Sequence, residues 1–147
     1  MRSASVDVDD ERISAIGPGL VVLLGVGADD APEDGERLAS RVAGLRIFQD
    51  DQGKMSRSVI DSGGRVLVGP QFTLYGDVRH GRRPDFTRAA PPDKAQRLYD
   101  AFCGALRGAG LEVATGRFGA MMRVNMEGDG PVTIVATTDG WEEAGLR

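Results

Sequence analysis

The residues that could do chemistry gather in the middle of the chain. Gly69-Pro70-Gln71-Phe72-Thr73-Leu74-Tyr75-Gly76-Asp77 sets a side-chain amide, a hydroxyl and aromatic rings behind a proline. The densest basic run, Arg79-His80-Gly81-Arg82-Arg83, follows at once. Thr73 is a nucleophile only if a base activates it. The sole histidine, His80, lies across a glycine-containing loop, and no sequence pattern ties the two together. A β-branched packing residue is the plainer reading of Thr73. Gln71 suits a donor to a developing oxyanion, or simply a polar residue on an edge strand. Backbone amides are the other source of such donors. Pro70 has no N–H, but it restricts Gly69 and can pin a corner where the amides of Phe72 and Thr73 point outward.

The cationic neighbours of His80 favour its neutral form, and it reads as a solvated loop residue or a phosphate contact before a base. Arg79, Arg82 and Arg83 have the planar guanidinium that grips phosphate bidentately, and a solvated loop explains them equally well. Cys103, beside Phe102, reads as a small packing residue. Gly130-Pro131 reads as a turn.

Composition narrows the classes. The chain has 147 residues, 41% of them hydrophobic, which suits one domain with one core. A single cysteine excludes an internal disulfide framework and a four-ligand Cys/His zinc site. No metal or other cofactor is expected. No apolar run approaches the ~18 residues of a membrane span, and residues 1–7 lack a signal-peptide core. A cytoplasmic protein is expected. Net charge is −4, so the chain as a whole does not advertise nucleic-acid binding. The basic residues cluster at 79–88, however, and charges more than about 8 Å from an exposed patch are largely screened from it.

These residues need a frame. Residues 3–8 alternate as a half-buried strand, Asp9-Asp10 turns, and residues 12–16 return. The apolar run at 20–26 predicts a strand buried on both faces. Pro32, Glu33 and Asp34 open a helix with Leu38, Val42 and Leu45 on one face. Residues 46–48 leave it extended, and residues 65–68 form a buried strand leading into the Pro70 corner. Pro92-Asp93 opens a second helix striped by Ala95, Leu98, Tyr99, Phe102 and Leu106. Strands are expected at 111–115 and 132–138, and a strand or extended segment at 118–126. The sum is an α/β fold: a mixed, mostly antiparallel sheet or open barrel with two helices packed outside. Residues 1–138 form one domain, and residues 139–147 a polar tail in which Trp141 could dock.

Several stretches, in order, carry a resemblance. They are Ile16-Gly17-Pro18-Gly19-Leu20, Leu23-Leu24-Gly25-Val26, Leu45-Arg46-Ile47-Phe48, Gly53-Lys54-Met55 and Gln71-Phe72-Thr73-Leu74-Tyr75. Gly81-Arg82-Arg83-Pro84, Ala89-Ala90-Pro91-Pro92, Thr115-Gly116-Arg117-Phe118-Gly119-Ala120-Met121-Met122 and Asp129-Gly130-Pro131-Val132-Thr133 complete the set. With these the chain resembles the D-aminoacyl-tRNA deacylases, which hydrolyse the ester joining a D-amino acid to tRNA.

The resemblance implies a homodimer with active sites at the subunit interface. One wall is the stretch at Gln71, Phe72 and Thr73. The other is Gly130-Pro131, joined by a cis peptide and reaching in from the partner. Its carbonyls would exclude an L side chain while admitting a D-aminoacyl group, or glycine mischarged on tRNA-Ala. Backbone donors and the terminal ribose hydroxyl of the tRNA would do the chemistry. Phe118 and Met121 are expected at the terminal adenosine or substrate, and Arg79, Arg82 and Arg83 at tRNA phosphates.

Three departures from the family pattern bear on selectivity. Pro70 stands where the family usually has Ser; a related branch that edits L-alanine mischarged onto tRNA has Pro there, but Ala in place of Phe72. Gly128 stands where Asn is usual. An opening strand, with an arginine that supports the Gly-Pro turn, is expected to be missing, which would leave a sheet short of an edge. Editing of L-alanyl-tRNA and a catalytically weak RNA-binding relative are the alternatives these departures leave.

Overall fold

A computed structural model describes residues 1–140. Strand β1 (Ser3–Val8) turns back through Asp9 and Asp10 into β2 (Glu11–Ile16). Both turn residues have positive φ, 50° and 63°, the geometry of a two-residue hairpin whose twist matches its strands. Ala4, Val6 and Val8 point inward and are buried, as their alternation requires.

Strand β3 (Gly19–Leu24) leads to helix α1 (Pro32–Gly44), and a small ribbon of β4 (Phe48–Gln49) and β5 (Met55–Arg57) follows. Strand β6 (Arg65–Pro70) runs parallel to β3. Helix α2 (Pro92–Gly108) then crosses to β7 (Val113–Thr115), also parallel to β6, and β8 (Arg123–Glu127) pairs antiparallel with β1. The sheets are ordered β2-β1-β8 and β3-β6-β7.

Central β6 organises the layers. Val66 and Val68 face the helices and join Val42, Tyr99, Phe102 and Leu106; Leu67 faces the other way, onto Ala4, Val6, Val8 and Ile16. All three β6 residues are fully buried, so the strand is a dry spine with helices on one side and the antiparallel sheet on the other. Mixed sheets and two outer helices agree with the sequence reading. The parallel layer arises because both helices serve as crossovers between strands, long enough for parallel pairing.

Three expectations need correcting. Strand β3 is not buried on both faces, since Leu23 remains 46% exposed, and among the described residues it is an edge strand with β6 as its one neighbour in the sheet. Gln71 does not lie on an edge strand, and Thr73 falls in a 3-10 turn (Phe72–Tyr75). Residues 132–138 form no strand, because nothing among the described residues pairs with them. In the antiparallel sheet β1 lies in the middle, flanked by β2 and β8.

Among the described residues no helix is long and apolar enough to cross a membrane. The polar tail expected after residue 138 lies almost wholly outside the described residues, as does the docking of Trp141.

Candidate active site

Spine strand β6 delivers Pro70 to the protein surface, opposite Leu24 of β3. The next amide, Gln71 N–H, donates to the Leu24 carbonyl at 2.8 Å. Behind the corner the Val68 carbonyl accepts the Tyr99 hydroxyl and, at 3.2 Å, the Gly116 N–H. Burial pushes the Tyr99 phenol far above its ordinary range, so it stays a donor. The corner is thus tied to β3, to α2 and to the loop after β7.

From this anchored base the chain folds into the 3-10 turn. The Leu74 amide donates to the Gln71 carbonyl at 3.3 Å and the Gly76 amide to the Thr73 carbonyl at 3.0 Å. The amides of Phe72 and Thr73, ahead of these bonds, have no acceptor within the turn. Phe72 and Leu74 are exposed, and the Gln71 side-chain amide donates to Thr73 Oγ1. His80 is exposed and makes no hydrogen bond to Thr73. A Thr–His nucleophile pair is therefore not assembled, and the Thr73 hydroxyl serves to hold Gln71.

Phe72 meets Phe86 edge to face, ring centroids 5.2 Å apart. The sequence reading missed Phe86. A lone aromatic in a polar loop gives no periodic signal, and only the Asp77–Asp85 backbone bridge brings it back to the turn.

The basic loop is not uniformly available. Arg79 is folded onto Asp77, with Nε at 2.9 Å and Nη2 at 2.6 Å from its carboxylate oxygens. The Arg79 side chain holds that carboxyl at about 2, below its ordinary 3.8. Arg82 and Arg83 make no ion pair among the described residues and stand exposed. Cys103 is buried in α2, and burial pushes its thiol up, in keeping with a packing role.

Gly130-Pro131 is the cis peptide among the described residues. Gly130 has φ +108°, a conformation that L side chains rarely adopt. Arg2 reaches this turn, its Nε 3.0 and 3.2 Å from the two Asp129 carboxylate oxygens. A Cβ built at Gly128 would make only ordinary contact with Pro131, at 3.6 Å, so this glycine is not required for space. Within one chain no hydrogen bond or ion pair joins this turn to residues 71–73.

Phe118 is half-buried and tilts against Tyr99, centroids 6.4 Å apart, so much of its ring belongs to the core. Met121 is 90% exposed. A cleft of about 920 Å³ opens between β3, α1 and residues 132–139, meeting the turn at Leu74 and Tyr75 rather than at Gln71–Thr73. Among the described residues no three His, Cys, Asp or Glu side chains cluster as a metal site requires.

Comparison with known proteins agrees with this architecture. A family profile described as D-Tyr-tRNA(Tyr) deacylase matches residues 1–137. A D-aminoacyl-tRNA deacylase of Heliobacterium modesticaldum is 56% identical over 137 residues, covering 93% of this chain and 91% of that protein. One of Thermus aquaticus is 51% identical over 146 residues, covering 99% and 95%. Among solved structures, one titled c-Myc DNA Unwinding Element Binding Protein superposes with a TM-score of 0.84 at 42% identity, covering 90% of each chain.

Proposed function

This chain belongs to the D-Tyr-tRNA(Tyr) deacylase family, and from that premise we propose that it hydrolyses the ester of D-aminoacyl-tRNA, releasing free D-amino acid and tRNA. The observation that carries the reading is the exposed 3-10 turn, whose first two amides are unclaimed within it while its base is anchored on three sides.

In the reaction, water adds to the acyl carbon and the carbonyl electrons move onto oxygen. The amides of Phe72 and Thr73 hold that oxyanion, with the Gln71 side chain assisting. The oxyanion collapses, the ester C–O bond breaks, and the ribose oxygen leaves with a proton. A hydroxyl of the tRNA terminal ribose positions the water, so no side-chain base is needed.

Gly130 and Pro131, from a second copy, form the selecting wall. Exposed Val132, Ile134 and Val135 beside that turn support its docking on a second copy. Glycine, with no side chain to exclude, passes the same wall, which extends the substrates to glycyl-tRNA-Ala. Pro70, where the chain enters the turn, borders the substrate. Met121 and the free edge of Phe118 contact the terminal adenosine, and Arg82 and Arg83 contact tRNA phosphates. Arg79 joins them only on leaving Asp77. The reaction takes place in the cytoplasm, where charged tRNA is found.

The test is hydrolysis of D-tyrosyl-tRNA, glycyl-tRNA-Ala and L-alanyl-tRNA side by side. Release from the first two supports the reading. Preferential release of L-alanine moves the chain to the L-alanine-editing branch, and binding without release of any leaves an RNA-binding relative.

A further inference from the structure

We infer that Tyr75 is a positioning residue whose ring, seated on Gly25 and Gly27, fixes the 3-10 turn and so aims the amides of Phe72 and Thr73. The inference rests on the reading of those amides as the oxyanion donors.

Tyr75 is the last residue of the turn and is half-buried, unlike Phe72 and Leu74. Its ring lies on the segment just after β3. A Cβ on Gly25 would come 3.2 Å from Tyr75 Cε2 and 3.3 Å from both the Gln71 carbonyl oxygen and Leu74 Cβ. A Cβ on Gly27 would come 2.7 Å from the Tyr75 hydroxyl and 3.1 Å from Cζ. Neither glycine has a positive φ, so it is close approach and not backbone shape that excludes a side chain. Arg88 also lies over the ring, its Cζ 5.9 Å from the centroid.

The seat itself is rigid. Ala28 N–H donates to the Arg88 carbonyl and Ala90 N–H to the Val26 carbonyl, both at 2.9 Å. Gly27 N–H donates to the Asp30 carboxylate at 2.7 Å, and Lys94 Nζ to the Ala28 carbonyl at 2.6 Å. A Cβ at Gly27 would also come 3.3 Å from Asp30 Oδ1, but its tightest contact is the Tyr75 hydroxyl, so Tyr75 is the group displaced and the turn would follow. A donor pair moved by a fraction of an ångström loses much of its advantage, because oxyanion stabilisation depends on donors already in place.

The glycine contacts make a suppressor test possible. Gly27→Ala is expected to lower kcat on D-aminoacyl-tRNA by roughly 10- to 100-fold, with KM changing less than about threefold. Gly27→Ala/Tyr75→Phe removes the hydroxyl the new methyl strikes, and kcat is expected to return to within about threefold of the parent. Backbone amide resonances of Phe72 and Thr73 in ¹⁵N-labelled protein provide a readout independent of turnover. They are expected to shift in the single variant and return in the double. Equal kcat losses in single and double variants, or unmoved Phe72 and Thr73 resonances in Gly27→Ala, overturn the inference. If the parent releases no amino acid but its resonances follow the expected pattern, the seat stands and the oxyanion reading falls.

Discussion

The two proposed walls of the site are built on opposite plans. The wall at residues 71–75 grows from the driest strand of the protein. It is fastened by the Gln71–Leu24 backbone bond, by two donors on the Val68 carbonyl and by the glycine seat under Tyr75. The wall at Gly130-Pro131 stands in solvent. Among the described residues its side-chain tie to the rest of the chain is the Arg2–Asp129 pair, with side chains 67% and 59% exposed. Beyond it residues 132–137 are exposed and unpaired. Oxyanion donors must be held before substrate arrives, so their scaffold belongs inside one chain. A selecting wall has to resist a side chain only once the site is closed. On the proposed reading its backing is a second copy.

The largest separation between the two plans is expected at Gly130→Ala. With φ at +108° the alanine is strained by about 1–2 kcal/mol, and its methyl points into a turn where Val132 Cγ2 and N are already 3.2 Å away. kcat/KM on D-tyrosyl-tRNA is expected to fall roughly 10²-fold. The melting temperature of the chain should fall only by the few degrees that this strain accounts for, because so few contacts rest on this turn. Unchanged kinetics would remove Gly130 from the site.

Tyr99→Phe tests the other wall, and there the two readouts should fall together. It deletes a buried donor to the Val68 carbonyl and leaves that oxygen with the Gly116 amide. The expected cost is about 1–2 kcal/mol of stability, with kcat lower by roughly threefold to tenfold. Lost stability with unaltered kcat would show that the corner carries load without aiming the turn.

The same contrast decides what the sequence could reveal. Elements driven by burial were legible. The alternation of Ala4, Val6 and Val8, the stripe through Tyr99, Phe102 and Leu106, and the continuous Val66-Leu67-Val68 each state which side faces the core. The Gln71–Thr73 corner was legible from its proline and from the resemblance. What stayed hidden depends on partners distant in sequence. An apolar run looks alike on a central strand and on edge strand β3. Residues 132–138 alternate as a strand does, yet alternation cannot provide a neighbour to pair with. Phe86, the seat under Tyr75 and the Arg2–Asp129 pair join residues far apart, which no local pattern encodes. Gly25-Val26-Gly27 directly after a strand was the one available hint of a close approach.

Thr73→Ala probes the turn wall at a finer scale. The hydroxyl accepts from the Gln71 side chain and is not paired with a base. Its loss should free the Gln71 amide and lower kcat severalfold, about 1 kcal/mol, from burst-free steady-state kinetics. A loss near 10⁴-fold with binding intact would instead mean covalent catalysis through Thr73 and would break the backbone-donor reading.

The smallest effect is expected from Arg2→Ala, and its size is informative. An exposed ion pair contributes about 0–1 kcal/mol, so melting should hardly change. If the pair steadies the selecting wall, kcat on D-tyrosyl-tRNA at saturating substrate should drop about twofold at low salt. The difference between parent and variant should then vanish near 1 M salt, where the screening length shrinks to about 3 Å. Saturation matters, because tRNA binding weakens with salt on its own account. A difference that persists at high salt would mean that Arg2 acts by packing and not by charge. A difference confined to L-alanyl-tRNA would mean that the pair holds the wall in the shape that rejects L substrates. Either result would show the exposed wall to be held more firmly by its own chain than its contacts suggest.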